Sequence, residues 1–188
     1  TQPLEHIDDE KGEIALCILS AINVGILRDL DDLEELCELA VRALEEIIDY
    51  QRYPIKAAEV STKARRSLGV GYIGLAHYLA KNKAKYNEKE AWVLTHKLSE
   101  AFQYYLLKAS NKLAEERGAC EYFHRTKYSE GIMPIDTYKK EVDDIVKEKL
   151  YYDWNGLRKS IREHGLRHST LSAQMPSESS SVVSNATN

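Results

Sequence analysis

NEKEAWVLTHKLSEAFQYYLLKASNKLAEERG, residues 87–118, is the stretch that decides the fold class. Small and apolar residues recur in it at three- and four-residue steps, the period of one face of an α-helix. They are Ala91, Leu94, Leu98, Ala101, Tyr105, Ala109 and Leu113. Asn87 followed by Glu90 predicts a capped start, and Gly118 predicts the end. At about 1.5 Å per residue this helix would be roughly 45 Å long, which indicates a larger host than a small isolated domain.

Helical patterns also flank this stretch on both sides. Upstream, apolar residues at helical spacing and acids in the first turn predict a helix over 31–50. Downstream, we predict shorter helices over 136–147 and 153–164. In the last of these, Trp154, Leu157 and Ile161 share one face, and Gly165 marks the end.

The strand signal is weaker than the helical one. The apolar run at 14–19 suits a buried strand that leads into a turn, although a buried helical turn is also consistent with it. Gly69, Gly71 and Gly74 follow further on and permit close approach of another backbone. Their spacing imitates a dinucleotide fingerprint, but no strand–helix unit of the right length accompanies it. We predict a mainly α chain within an α/β architecture.

Composition narrows the class of protein. The chain has 188 residues, of which 43% are hydrophobic and 30% charged, as in one soluble domain or part of one. No run approaches the roughly 18 apolar residues of a membrane span, and residues 1–5 lack signal-peptide features, so we expect a cytoplasmic protein. A net charge of -4 argues against a surface that coats nucleic acid. The six histidines and scattered cysteines show no zinc-site spacing, so we predict no metal site.

The three cysteines differ in their surroundings. Cys17 lies in the apolar run, where it could be a small buried core residue or a reactive thiol. Cys37 falls on the apolar face of the first helix and is predicted to be core. Cys120 carries no sign of activation. The pair Arg65-Arg66 is typical of a solvated or ion-paired surface.

The Ser-rich end of the chain allows two interpretations. On composition, residues 175–188 form a disordered tail. Alternatively, Pro176 and Ser177 begin a short helix whose free N–H groups bind phosphate. The carboxylate of Glu178 opposes the second interpretation, because like charges repel unless the side chain points away.

Several segments together resemble the large, or alpha, subunit of class I ribonucleotide reductase, in its bacterial and phage branch. They are GEIALC at 12–17, RRSLGVG at 65–71, YYLLKASN at 104–111, GIMPIDTY at 131–138 and HGLRHSTLSAQMPS at 164–177. They occur in the family's order over nearly the whole chain. The resemblance implies that residues 1–188 are a helix-rich portion of the family's ten-stranded α/β barrel, the catalytic domain, incomplete at both ends.

The resemblance also assigns roles to the two ambiguous regions. In the family, the cysteine that ends GEIALC is one of two redox thiols that supply reducing equivalents to the ribose, so Cys17 takes that role, with its partner outside this chain. The MPSESSS segment binds the substrate diphosphate at a helix start, which implies Ser177, Glu178, Ser179 and Ser180. Glu178 would contribute its backbone N–H.

The implied activity is thiyl-radical reduction of ribonucleoside diphosphates to deoxyribonucleoside diphosphates for DNA synthesis. It needs the remaining large-subunit segments, a metal-containing small subunit that generates the radical, and thioredoxin or glutaredoxin as reductant. No cofactor is expected in this chain, which would be inactive by itself. The alternative is a helical interaction module without catalysis.

Some family features are not present in the sequence. The NxCxE loop, the ATP-binding regulatory region, the paired-tyrosine relay and the cysteine-bearing tail are missing, and His168 replaces the usual asparagine of RNST. We therefore expect an internal piece, from a split gene, an intein-interrupted gene or a truncation. Alone it would leave strand edges and the long helix unpartnered and would be poorly stable. The replacement at His168 leaves the tuning of the phosphate site open.

Overall fold

The computed structural model describes residues 12–188. Within this range the chain forms two strands and eight α-helices, joined by loops and short 3₁₀ turns. They are β1 (Ile18–Asn23), α1 (Asp32–Tyr50), α2 (Lys56–Arg65), β2 (Leu68–Ile73), α3 (Leu75–Lys81), α4 (Lys89–Arg117), α5 (Pro134–Thr137), α6 (Val142–Ile145), α7 (Trp154–His164) and α8 (Glu178–Val183). The predicted helix-rich α/β character is confirmed.

Strand β2 is the centre of a small parallel sheet. Strand β1 pairs with it in parallel, with Ile18 opposite Leu68. On its other edge β2 contacts residues 170–173: Val70 N–H donates to the Leu171 carbonyl over 2.8 Å, and Ala173 N–H donates to the Val70 carbonyl over 3.1 Å. The outer edge of β1 has no strand partner in the part of the chain that the structure describes.

Two glycines of β2 permit this close packing. A Cβ atom on Gly71 would lie 2.4 Å from the carbonyl oxygen of Ala173, and one on Gly69 would lie 2.6 Å from a methyl group of Leu19. Contacts this short are excluded by van der Waals repulsion. The predicted close backbone approach is confirmed, because segment 170–175 can cross β2 only where side chains are missing.

The long helix α4 packs side by side with α1, and the two run in the same direction. Ion pairs bridge them at three successive turns with the same sequence offset, between Glu34 and Lys108, Glu38 and Lys112, and Arg42 and Glu116. Beneath them lies a core that includes Leu33 and Val41 of α1 and Leu106 and Leu107 of α4. The expectation that the long helix is unpartnered is therefore wrong, whereas one strand edge is open as expected.

The predicted helices at 31–50, 87–118 and 153–164 are confirmed, with one error at a cap. Helix α4 begins at Lys89, and neither Asn87 nor Glu88 caps it with a side chain. The Glu88 carboxylate pairs instead with Lys85 over 3.1 Å. Helix α7 follows the prediction, since the Asp153 side chain accepts from Gly156 N–H at its start.

The prediction of a single helix over 136–147 is wrong. The segment contains only α5 and α6, separated by an extended Tyr138. Of residues 136–147 only Val146 is buried, so a longer helix would gain little from packing. No helix within residues 12–188 is long and apolar enough to cross a membrane.

Candidate functional site

One face of the sheet packs on the helices; on the other, Cys17 and Leu19 are exposed, whereas Gly69, Gly71 and Ile73 of β2 are buried. Ile22, Leu68 and Val70 belong to the core. Residues that alternate with them along the strands lie on the opposite side. A Cβ on Gly69 would contact Leu19 and Ala173 on that side and would lie 3.8 Å from the sulfur of Cys17. We call this side the open face; it carries Cys17, Leu19, Gly69, Gly71 and Ala173.

The thiol of Cys17 is exposed on the open face, so of its two interpretations the small buried core residue is wrong. Strand β1 begins at Ile18 rather than at residue 14, and Leu16 and Leu19 are 45% and 51% exposed. The apolar run lies beside the outer edge of β1, which has no strand partner within residues 12–188. An accessible thiol can react, whereas a buried one is inert.

The other two cysteines are buried in the protein. Cys37 is core, as predicted, and burial raises the pKa of its thiol to about 12. Burial likewise raises the pKa of Cys120 to about 11, against smaller opposing contributions from Arg167 and Arg66. Neither forms a thiolate at neutral pH, so Cys17 is the accessible thiol of residues 12–188.

The Ser-rich end folds into helix α8, so the prediction of a disordered tail is wrong. Ser177 precedes the helix and is buried, whereas Glu178, Ser179 and Ser180 are exposed. The first helical hydrogen bond runs from Ser181 N–H to the Ser177 carbonyl over 2.8 Å. The N–H groups of residues 178–180 precede that bond and have no partner within the helix.

Hydrogen bonds from Gly74 and Tyr72 hold α8 near the carboxyl end of β2, and one internal bond closes the α8 segment. Gly74 N–H donates to the Thr187 carbonyl over 2.8 Å. The Ser177 hydroxyl donates to the side-chain oxygen of Asn188 over 2.9 Å, which closes the helix into a loop and uses the hydroxyl hydrogen internally. On the approach to the helix, the Gln174 amide accepts from Tyr72 N–H over 3.1 Å and donates to the Tyr72 carbonyl over 3.3 Å.

The predicted thiol and the predicted phosphate site lie toward opposite ends of the strands. Cys17 immediately precedes β1, whereas α8 lies beyond the carboxyl end of β2. Both border the open face, because the Met175 sulfur lies 2.9 Å from where a Gly71 Cβ would be. No hydrogen bond or ion pair between described residues joins Cys17 to residues 177–180.

A buried ion cluster that the sequence did not reveal ties the helices to the segment before α8. Glu45 of α1 is 0% exposed and accepts from Arg66 Nε and Arg167 Nε, each over 2.7 Å. Arg66 also pairs with Asp49 over 2.6 Å. Burial would raise the pKa of Glu45, but the hydrogen bonds from His168 and the two arginines lower it to about 2. The carboxylate is therefore ionised at neutral pH.

His168 completes this cluster rather than the phosphate site. Its Nε2 lies 3.0 Å from Glu45 and its Nδ1 lies 2.9 Å from the Ser110 hydroxyl. Burial lowers the pKa of His168, opposed in part by Glu45, so the ring is neutral at neutral pH. Two carboxylates then balance two guanidinium groups. The structure gives His168 no direct contact with residues 177–180.

The remaining sequence candidates have structural partners. Arg66 is ion-paired as predicted but is buried, and Arg65 donates to Glu13 over 2.9 Å. No group of His, Cys, Asp and Glu in residues 12–188 is arranged to hold a metal ion. His6 lies outside the described residues.

Comparison with known proteins gives the family to which the chain is similar. The family model described as ribonucleotide reductase, barrel domain, matches residues 4–188. The alpha subunit of ribonucleoside-diphosphate reductase from Haemophilus influenzae is 61% identical over 188 residues, all of this chain and 25% of that protein. Its counterpart from Buchnera aphidicola subsp. Schizaphis graminum is 59% identical over the same lengths. The Escherichia coli reductase 1 alpha subunit is 60% identical over 75% of this chain and 18% of its own.

The chain spans about a quarter of the length of the first two relatives. The family model covers nearly all of the chain, and the residues that it covers include both the thiol and the Ser-rich helix. The chain belongs to the ribonucleotide reductase barrel-domain family.

Proposed function

We propose that this chain contributes a redox thiol and a diphosphate-binding helix to the active site of a ribonucleoside-diphosphate reductase. The observation that carries the proposal is that Cys17 and the approach to α8 border the same open face of the sheet. A ribonucleoside diphosphate has a reactive sugar at one end and an anion at the other, which matches a thiol and a helix start on one surface.

Cys17 would act as one of two reducing thiols. Replacement of a ribose C–OH by C–H consumes two thiol hydrogens and two electrons and releases water, so the two thiols end as a disulfide. The partner thiol lies outside this chain, because Cys37 and Cys120 are buried in the core. An exposed position on an open face lets Cys17 meet both the substrate and that partner.

Helix α8 would hold the diphosphate. The N–H groups of residues 178–180 point out of the start of the helix, and Ser179 and Ser180 add exposed hydroxyl groups. Glu178 would take part through its N–H while its exposed carboxylate turns to solvent. The Ser177 hydroxyl is engaged by Asn188, so Ser177 would serve mainly to position the helix.

The other components follow from the same proposal. Residues 1–188 would form one part of the catalytic barrel, completed by the remaining segments of the large subunit in the cytoplasm. A metal-containing small subunit would supply the radical, and thioredoxin or glutaredoxin would reduce the disulfide. The chain alone would be inactive, since one thiol cannot complete a two-electron reduction as a disulfide.

Single-turnover reduction tests this proposal. The chain is combined with its complementary segments and the small subunit, and one substrate equivalent is reduced without external reductant. Peptide mass spectrometry should then place a new disulfide at Cys17 and leave Cys37 and Cys120 free. A disulfide at either buried cysteine, or product formed with Cys17 still reduced, would contradict the assignment.

A further inference from the structure

A second candidate binding surface lies at the amino ends of the strands, away from α8. An open pocket of about 440 Å³ is formed between the residues that precede β2, the 3₁₀ turns at 123–130 and the start of α5. We call it the amino-end pocket. It is lined by Arg65, Ser67, Arg125, Thr126, Lys127, Tyr128, Ile132, Met133, Pro134, Thr137, Ser169 and Thr170. These residues include three cations, and none of them is acidic.

The two arginines are held in place by neighbours behind the pocket. Glu13 accepts from Arg65 Nε over 2.9 Å and lies 3.8 Å from Arg125. Both guanidinium groups also stack on the ring of Tyr122, at 5.1 Å and 3.8 Å from its centroid. Two like charges are therefore fixed on one ring with one carboxylate between them. Among the described residues named here, Arg65, Arg125 and Lys127 carry three positive charges and Glu13 carries one negative charge, which favours an anion in the pocket.

The remaining lining residues of the pocket are apolar or carry hydroxyl groups. The half-buried Ile132 and Pro134 form an apolar wall, with the buried Met133 behind them. On the opposite side, the Ser67 and Ser169 hydroxyls lie 3.0 Å apart. Only one of their two hydrogens is needed for that contact, so the other can be donated to a ligand. Fixed guanidinium groups suit phosphate oxygens, and an apolar wall suits the organic part of a phosphate ester.

We propose that the amino-end pocket binds a small phosphate ester, with the phosphate on Arg125 and Lys127 and the organic group on Ile132 and Pro134. This site is separate from the diphosphate site proposed at α8. The volume is in the range of ordinary small-molecule pockets. The inference does not rest on the reductase proposal, because none of its residues belongs to that mechanism.

Calorimetric titration of the chain with phenyl phosphate tests the inference. Arg125→Gln and Lys127→Gln should each weaken binding about tenfold, since each removes a charged hydrogen bond. Both side chains lie on the surface, and circular dichroism checks that the variants fold. Lys89→Gln makes the same charge change at an exposed site outside the pocket and should leave the affinity unchanged. Inorganic phosphate should bind more weakly than phenyl phosphate, because it lacks the apolar part.

Three results of these titrations would contradict the inference, and one further result would support it. Absence of binding up to about 10 mM would exclude a useful site. An equal loss in Lys89→Gln would show nonspecific charge attraction. Binding that survives Arg125→Gln but is lost when Ser179 and Ser180 are both changed to Leu would place the anion at α8. Retained binding in that double variant supports the amino-end pocket.

Discussion

Nε2 of His168 lies 3.0 Å from the carboxylate of Glu45, and both residues are 0% exposed. The contact joins helix α1 to the segment that leads into α8, across 123 positions of sequence. Both groups titrate with a lowered pKa, so both make the folded state sensitive to acid.

Acid should destabilise the protein in two steps. The pKa of His168 is lowered below 6.5 and that of Glu45 is lowered from 4.5 to about 2, so the unfolded chain binds more protons than the folded one in both ranges. The stabilising contribution of His168 is complete above pH 6.5 and is lost as the pH falls toward its folded pKa. That of Glu45 is lost between pH 4.5 and about 2. Urea unfolding of His168→Asn should show a shallower loss between pH 7.5 and 5.5, and an unchanged slope would contradict it.

Removal of the Glu45 carboxylate should lower the free energy of unfolding far more than removal of the neighbouring Glu46 carboxylate. Glu45→Ala leaves Arg66 and Arg167 without their shared carboxylate, and we expect a loss of about 3–5 kcal/mol in the free energy of unfolding. Glu46→Ala breaks an exposed pair with Arg117 and should cost under about 1 kcal/mol. Denaturant titration of both variants at pH 7.5 measures the difference. Equal losses would mean that the buried cluster contributes no more than a surface pair.

Two glycines of β2 that flank Val70 should respond differently to alanine. In Gly71→Ala the new methyl group meets the Ala173 backbone carbonyl, which cannot move unless segment 170–175 shifts, so we expect a loss of about 1–3 kcal/mol. In Gly69→Ala the main obstacle is the exposed side chain of Leu19, which can rotate away. Thermal unfolding of both variants tests the order of stability, and a more stable Gly71→Ala would refute it.

Bulk at the start of α8 should weaken diphosphate binding without unfolding the chain. Changing Ser179 and Ser180 to Leu covers the free N–H groups, whereas the same change at Val182 and Val183, which are 80% and 87% exposed, does not. Titration of a substrate diphosphate into the reconstituted enzyme should show weaker affinity for the serine variant alone. Unchanged affinity would leave α8 with no role in phosphate binding.

Cys17→Ser should stop repeated turnover and spare substrate binding, since it keeps the size of the side chain but removes the redox couple. Cys37→Ala and Cys120→Ala are the controls, and both should retain turnover if they fold. Steady-state rates with thioredoxin, together with substrate affinity, distinguish the two effects. Full turnover by Cys17→Ser would make this thiol dispensable.

The sequence alone was sufficient to predict the helices in which the apolar pattern repeats over several turns. Helices α1, α4 and α7 follow from side chains such as Leu33, Leu98 and Trp154, because an amphipathic face buries the same residues in any host that covers it. Cys37 was assigned to the core for the same reason. The ordered run of family segments from residue 12 to 177 was sufficient for the barrel-domain family, which the family model confirms.

Only the tertiary structure decided what depends on neighbours far along the chain. Cys17 is exposed although its local sequence is apolar, because it lies at the sheet edge that has no strand partner among residues 12–188. The Ser-rich end is helical because Gly74 and Tyr72 bind residues on either side of it. In the sequence Glu45 is one of several acidic residues of α1. The fold places Arg66, Arg167 and His168 around its carboxylate. The local apolar pattern indicates which face of a helix or strand is buried. Charge pairing and side-chain exposure depend on contacts between distant segments, which sequence spacing does not encode.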